Sequence, residues 1–288
     1  MLKEPILLIP AFRSGRETPW AGDMLRKEYQ KYTLGNMIGE SYDFSLLPGL
    51  ESTTPSGKTL RDLLSADSSF HAESVPFIVK WTDAQDATSI HLHPNHDEYL
   101  LITNTYNNAQ IVTGVKPEFE HGTSEFSEND FRFTSVHTGD VLHIPAGVPH
   151  ALCGITCWMI QQAENEALRL FDWNRTNARG FKRTLHNINT AHLLSTTSVK
   201  RLSYETVDNE SLLFSTDSFS VSMIQNAQNY PVTFDGAFAV MTCLEPAVLR
   251  LKNEKTMYLT AGQSIYIPRN SVAISIDAAR VLLSTAHV

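Results

Sequence analysis

His91 and His93 stand two residues apart in Ser89-Ile90-His91-Leu92-His93, a run that reads as a β-strand, so both imidazoles project from one face. Glu98 follows across four residues that include the turn-prone Pro94 and Asn95. Further along, Gly139-x5-Pro145-x-Gly147-x2-His150 supplies a third imidazole. Three neutral imidazoles and one carboxylate form a borderline-soft donor set, suited to zinc, iron, manganese, nickel or cobalt rather than calcium or magnesium. Four protein donors can leave coordination positions open for water or substrate. A lone histidine reads as an ordinary core or surface residue, which is the reading for His71, His121, His137, His143, His186, His192 and His287. The set of four differs because donor types, strand parity and a Pro-Gly turn coincide. Cys153 and Cys157 share a strand face, but free cysteines usually act as small buried apolar residues.

The elements around these residues are mostly short apolar or alternating runs separated by turn signals, the pattern of a sandwich or barrel. Strands are predicted over Val75 to Trp81, Ser89 to His93, Tyr99 to Thr103, Ala109 to Val112, Phe131 to Val136, Val141 to Ile144 and Cys157 to Gln161. Helices are predicted over Trp20 to Tyr32 and Thr59 to Ser65, and loops over Leu47 to Gly57 and Pro117 to Asn129. One echo spans the chain: the turn, strand and proline of Gly139 to Pro145 recur at the same spacing in Gly262 to Pro268. Five residues beyond the first proline stands His150, and five beyond the second stands Ala273. The expectation is two related β-sandwich units, of which the first alone keeps a ligand. Asn187, Asn189, Ser195 and Ser198 break the apolar pattern, so the boundary falls near 186 to 200, giving units of 1–190 and 191–288. The first 50 or so residues could pack with either unit.

Composition narrows the function classes. The chain has 288 residues, 42% hydrophobic and 19% charged, and a formal charge of −8. That balance argues against a nucleic-acid footprint, and the cluster Arg179, Lys182, Arg183 reads as a solvated face. The apolar run from Ile6 to Ile9 is too short for a secretory signal, and no stretch reaches the length of a bilayer span. Three cysteines without a disulfide-framework spacing suit a reducing compartment, so a cytoplasmic location is expected.

The motifs His-x-His-x4-Glu and Gly-x5-Pro-x-Gly-x2-His resemble the two signatures of the cupin superfamily, which converge from neighbouring strands on one inward-facing metal. Reading outward, the chain resembles the type I mannose-6-phosphate isomerases (phosphomannose isomerases) in their short bacterial and archaeal form. In the family's order come Trp20-Ala21-Gly22-Asp23, Gly39-Glu40-Ser41-Tyr42 and Gly57-Lys58-Thr59-Leu60. Pro76 to Ala84, Ser89 to Pro94, Gln161-Gln162, Arg169 to Arg175 and Lys182 to His186 follow. The match is good over about residues 5 to 190 and loose beyond. It implies a mainly β fold of two cupin-like (jelly-roll) β-sandwich units with a few short helices, the first catalytic, the second degenerate and metal-free.

The resemblance further implies a metal-dependent aldose–ketose isomerase that interconverts mannose 6-phosphate and fructose 6-phosphate through a cis-enediol. One divalent transition metal would sit on His91, His93, Glu98 and His150, zinc first and iron, manganese, nickel or cobalt as alternatives. The implied partner is a small-molecule sugar phosphate, with no nucleic acid or membrane and the oligomeric state left open. Arg169 matches the family arginine beside the metal, and Lys80 and Ser89 match pocket positions. Two departures stand out. His91 replaces the family's usual glutamine ligand, and counting back from Ala109 to Gly114 puts His96 at the place of a family lysine, with a loop deleted. His96 is therefore a candidate catalytic base, its intrinsic pKa being near neutral, although its place in a turn also suits plain exposure. Arg169 could equally pair with Asp172 or Glu166, Arg175 reads as structural, and Glu40 suits a buried pair. Two other functions share these features: another metal cupin enzyme such as an oxygenase, and a sugar-binding or regulatory protein without turnover.

Overall fold

The computed structural model describes residues 2–35, 37–65, 75–119, 125–176, 179–186, 197–252, 254–269, 271 and 274–287. His71, His121, His192, Ala273 and much of the expected boundary segment, 187–196, lie outside the described residues. Strands dominate, as expected, and they form two antiparallel sheets. No helix among the described residues is long and apolar enough to cross a membrane.

The chain opens with β1 (Ile6–Leu8), β2 (Ala11–Ser14), the short helix α1 (Met24–Lys27), β3 (Ile38–Phe44) and α2 (Leu60–Ser65). Next come β4 (Phe77–Ala84), β5 (Ile90–Leu92), β6 (Glu98–Val115), β7 (Phe131–Ser135), β8 (Val141–Ile144), β9 (His150–Gln162) and β10 (Leu168–Phe171). The second half runs through β11 (Lys200–Leu202), β12 (Thr206–Val207), β13 (Glu210–Ser215), β14 (Phe219–Val232) and β15 (Phe238–Cys243). It ends with β16 (Ala247–Leu251), β17 (Thr256–Leu259), β18 (Ser264–Pro268) and β19 (Ile274–Ala286).

Two long strands organise the first sheet. The leading half of β6 pairs with β8 and its trailing half with β7, while β9 pairs with β6 throughout and with β4 and β5 at its two ends. The ladder is interrupted between Thr105 and Gln110, where Asn108 takes φ 58° and the facing Gly154 takes φ 67°. A side chain at Gly154 would be strained at that φ, although the space beside it, 3.4 Å from the Asn107 carbonyl, would admit a Cβ. This corner lets one pair of strands serve both layers of a sandwich. β14 and β19 do the same in the second sheet, with a register shift between Ala227 and Tyr230.

The echoed segments take matching places. Gly139 (φ 95°) leads into β8 and Gly262 (φ 83°) into β18. Each sheet takes one strand from the other half of the chain: β11 extends the first sheet beyond β8, and β1 extends the second beyond β18. Between the two sheets lies a buried aromatic cluster that includes Phe44, Phe77, Phe219, Phe238 and Tyr266, with Phe77 and Phe219 ring centres 5.4 Å apart. Lys31 joins Asp43 at 2.6 Å inside this boundary, and Ser264 donates to the same carboxylate at 2.8 Å. Such a layer explains why all of β4 is buried: Phe77, Val79 and Trp81 pack toward the second sheet, so Lys80 and Thr82 face the other way, into the cleft.

The helix predicted over Trp20 to Tyr32 shrinks to Met24–Lys27. Ala21 and Gly22 instead make strand-like bridges to Ala84 and Ile38. The buried Asp83 carboxylate accepts the backbone N–H of Met24 and of Leu25, so a tertiary partner starts the helix late.

Candidate metal centre

β5 alternates as its sequence demands: Ile90 and Leu92 are fully buried in an apolar cluster, leaving His91 on the opposite face. His91 pairs in register with His150, the first residue of β9, and His93 follows just beyond β5. Glu98 opens β6 beside Gln161 of β9. The four expected donors therefore meet in one cleft of about 310 Å³, with His93, Glu98 and His150 almost wholly buried.

The protonation pattern is set by the backbone. His91 Nδ1 lies 2.8 Å from the Ser89 carbonyl, His93 Nδ1 2.6 Å from the Glu166 carbonyl, and His150 Nδ1 3.0 Å from the Val148 carbonyl. A carbonyl oxygen can only accept, so each Nδ1 donates and Nε2 is the nitrogen left for the cleft. His93 Nε2 is 3.4 Å from Glu98 Oε1, and His150 Nε2 is 3.0 Å from Glu98 Oε2. In the singly protonated rings these approaches set lone pair against lone pair. Both His93 Nε2 and Glu98 Oε2 are buried without a hydrogen-bond donor. A cation is what such a set lacks.

Electrostatics agree. Burial, with His150 and His93 close by, holds His91 well below its ordinary pKa and so keeps it neutral. Burial alone would raise the Glu98 carboxyl, but His93 and Lys80 more than reverse this and hold it well below the carboxylate range. The residues present fit a divalent ion with imidazole and carboxylate ligands.

Lys80 points into the cleft with Nζ 3.3 Å from Glu98 Oε1 and 3.9 Å from Glu40 Oε1. Burial would lower its ammonium, yet Glu98, Tyr42 and Glu40 outweigh that and leave it raised, so it stays charged. Glu40 lines the cleft and meets Arg13 at 3.3 Å.

Arg169 on β10 is in register with His91, which sets its side chain at the metal strand. Its Nε donates to Ser89 Oγ at 3.2 Å and a terminal nitrogen donates to the Thr184 carbonyl at 2.9 Å; the expected alternative partner Asp172 is taken by others. Asp172 accepts from Ser89, Arg175 and Arg183. Ser89 Oγ also accepts from Arg183 at 2.7 Å, so this one hydroxyl spends its hydrogen on Asp172 and its lone pairs on two arginines.

His96 lies behind His93, its ligand atom within 4.8 Å of those of His93 and Glu98. It is buried rather than exposed and does not line the cleft. Its ring stacks on His93 at 4.3 Å, and its Nε2 accepts from the Gln161 amide at 3.1 Å. Burial, then His93, lowers its pKa to about 4. Cys153 and Cys157 take no part in the centre, and burial raises both thiols.

Two residues that line the cleft, Arg183 and Arg13, and one that stands behind them, Asp172, are not among the expected site residues. Arg183 lines the site instead of a solvated face, because the segment after β10 folds back over Ser89. Asp172 organises the arginines, and Arg13 closes the other end. No periodic pattern marks any of them.

No protein-family profile matches the chain. Its relatives include GmuF of Bacillus subtilis (strain 168), named a probable mannose-6-phosphate isomerase and 27% identical over 64% of this chain and 66% of that protein. YvyI of the same organism, whose naming as a mannose-6-phosphate isomerase is provisional, is 24% identical over the whole of both chains. Among solved structures, the mannose 6-phosphate isomerase from Bacillus subtilis superposes with a TM-score of 0.84 at 22% identity, over 99% of this chain and 100% of that one. In sequence along its whole length, and in fold, the chain is similar to mannose-6-phosphate isomerases.

Proposed function

We propose that the chain is a metal-dependent aldose–ketose isomerase that interconverts mannose 6-phosphate and fructose 6-phosphate through a cis-enediol. The observation that carries this reading is the convergence of three imidazoles and Glu98, each ring held by a backbone carbonyl, in a cleft that also contains Lys80, Arg169 and Arg183. The likeness in sequence and fold to named isomerases supports it.

His91, His93, Glu98 and His150 hold the divalent ion, and zinc is the proposed metal because the reaction needs no change of oxidation state. When bound, the ion supplies Lewis acidity toward the sugar oxygens. Arg169 and Arg183 make one end of the cleft cationic, which suits the phosphate and, at Arg169, negative charge that develops on the enediolate. Moving a proton between C1 and C2 needs a base that touches substrate. Glu40 is the carboxylate placed to do so, between Arg13 and Lys80 in the cleft wall. His96 acts through His93 as a positioning residue, since its ring backs the ligand rather than the cavity. Residues 1–190 are read as the catalytic unit and 191–288 as its metal-free companion, in a cytoplasmic enzyme.

The test is metal analysis of the purified protein with a coupled mannose 6-phosphate assay before and after chelation. Turnover that disappears with chelator and returns with zinc is expected. Stoichiometric metal without turnover would sink the assignment. The imidazole of His91, in place of an amide ligand, favours a second reading, an iron-dependent oxygenase; oxygen uptake by the iron-loaded protein would support it.

A further inference from the structure

Glu98 and His150 approach the metal on separate turns, and something must hold those turns in register. The segment 94–97 delivers Glu98, and Pro145 to Pro149 delivers His150. Asp97, the residue before Glu98, grips the second turn with both oxygens: Oδ1 accepts the Ala146 N–H at 2.8 Å, and Oδ2 accepts from His143 Nε2 at 2.7 Å. The Gly147 N–H closes the same junction on the His93 carbonyl at 2.7 Å. His143 is in turn held flat: Tyr99 stacks on it at 4.5 Å, and Phe214 of the second unit stacks on Tyr99 at 4.3 Å.

We propose that Asp97 and His143 form a positioning clasp that sets the separation of Glu98 and His150 and so tunes the affinity of the metal centre. The clasp rests on the metal reading above. An isolated surface ion pair contributes little, but this carboxylate bridges two chain segments that each carry a ligand. Its hydrogen from His143 comes first among the causes that hold the Asp97 carboxyl below its ordinary range. His143 looks like an unremarkable strand residue in the sequence, and only the meeting of β6 and β8 gives it a partner one residue from a ligand.

The full chain, stripped with chelator, would be titrated with zinc against a chromogenic competitor for the parent, Asp97→Ala, His143→Ala, the double variant and His143→Gln. The melting temperature of each stripped protein would be recorded beside it. Each alanine variant is expected to bind zinc about 10- to 100-fold more weakly. The stripped proteins should melt close to the parent, and the double variant should lose little more than the worse single. His143→Gln keeps a donor and should recover part of the affinity; it also serves as the reading if an alanine variant fails to fold. Parent-like zinc affinity in the variants, or losses that simply add, would overturn the clasp and leave the metal centre standing. A parent that binds no zinc would overturn the metal reading and the clasp with it.

Discussion

Glu98 and His150 lie at opposite ends of the β6–β9 ladder, yet their side chains meet at 3.0 Å. Along the strands Glu98 is beside Gln161, and His150 is beside Thr113. The corner at Asn108 and Gly154 doubles the ladder over, so that its two ends close on the metal site.

Glu98→Gln removes the one anionic ligand and leaves the buried Lys80 ammonium with only Glu40, at 3.9 Å. Zinc affinity should fall by more than the ~100-fold seen for outer-sphere changes. Stability of the stripped protein should drop by about 3–5 kcal/mol, the cost of stranding a buried charge. Chelator competition and denaturant melts check both numbers. Retained metal and turnover would contradict the ligand assignment.

Ser89→Ala leaves the metal donors intact but takes away the hydroxyl that Arg169, Arg183 and Asp172 share. Loss of hydrogen bonds to charged groups predicts a fall in kcat/KM of about 10- to 100-fold with unchanged metal content. Steady-state kinetics with metal analysis decide it. If metal is lost instead, Ser89 acts through the His91 ring, to which its carbonyl is bonded.

Lys31→Met tests the joint between the two sheets. The Lys31–Asp43 pair is buried, and removing one partner should destabilise the protein by about 3–5 kcal/mol without altering zinc stoichiometry. Calorimetry of the two proteins is the measurement, and an unchanged unfolding profile would show that the joint is held by the aromatic cluster alone.

The pH dependence follows from His96, whose pKa falls from the ordinary 6.5 to about 4 in the fold. The unfolded chain therefore takes up this proton first on acidification. Stability is full above about pH 6.5 and is lost progressively down to about pH 4, with the depressed His91 acting in the same direction. Stripped His96→Gln should show a shallower decline in melting temperature between pH 7 and pH 4 than the parent. Coincident slopes would refute the burial argument.

That His91, His93, Glu98 and His150 meet is legible in the sequence because it rests on short-range rules. A period of two puts His91 and His93 on one face, a Pro-Gly turn ahead of His150 makes a strand start, and donor chemistry selects the metal class. The same local logic foresaw the Val141 to Ile144 strand with its observed bounds. It failed over Trp20 to Tyr32, where the carboxylate of Asp83 decides where the helix begins. Which nitrogen each histidine offers, the burial of His96, the gathering of Arg169 and Arg183 on Ser89, and the clasp of Asp97 with His143 were all decided by tertiary structure. Each joins segments that are not neighbours in the chain, and side-chain periodicity carries no information about which distant segments will pack together.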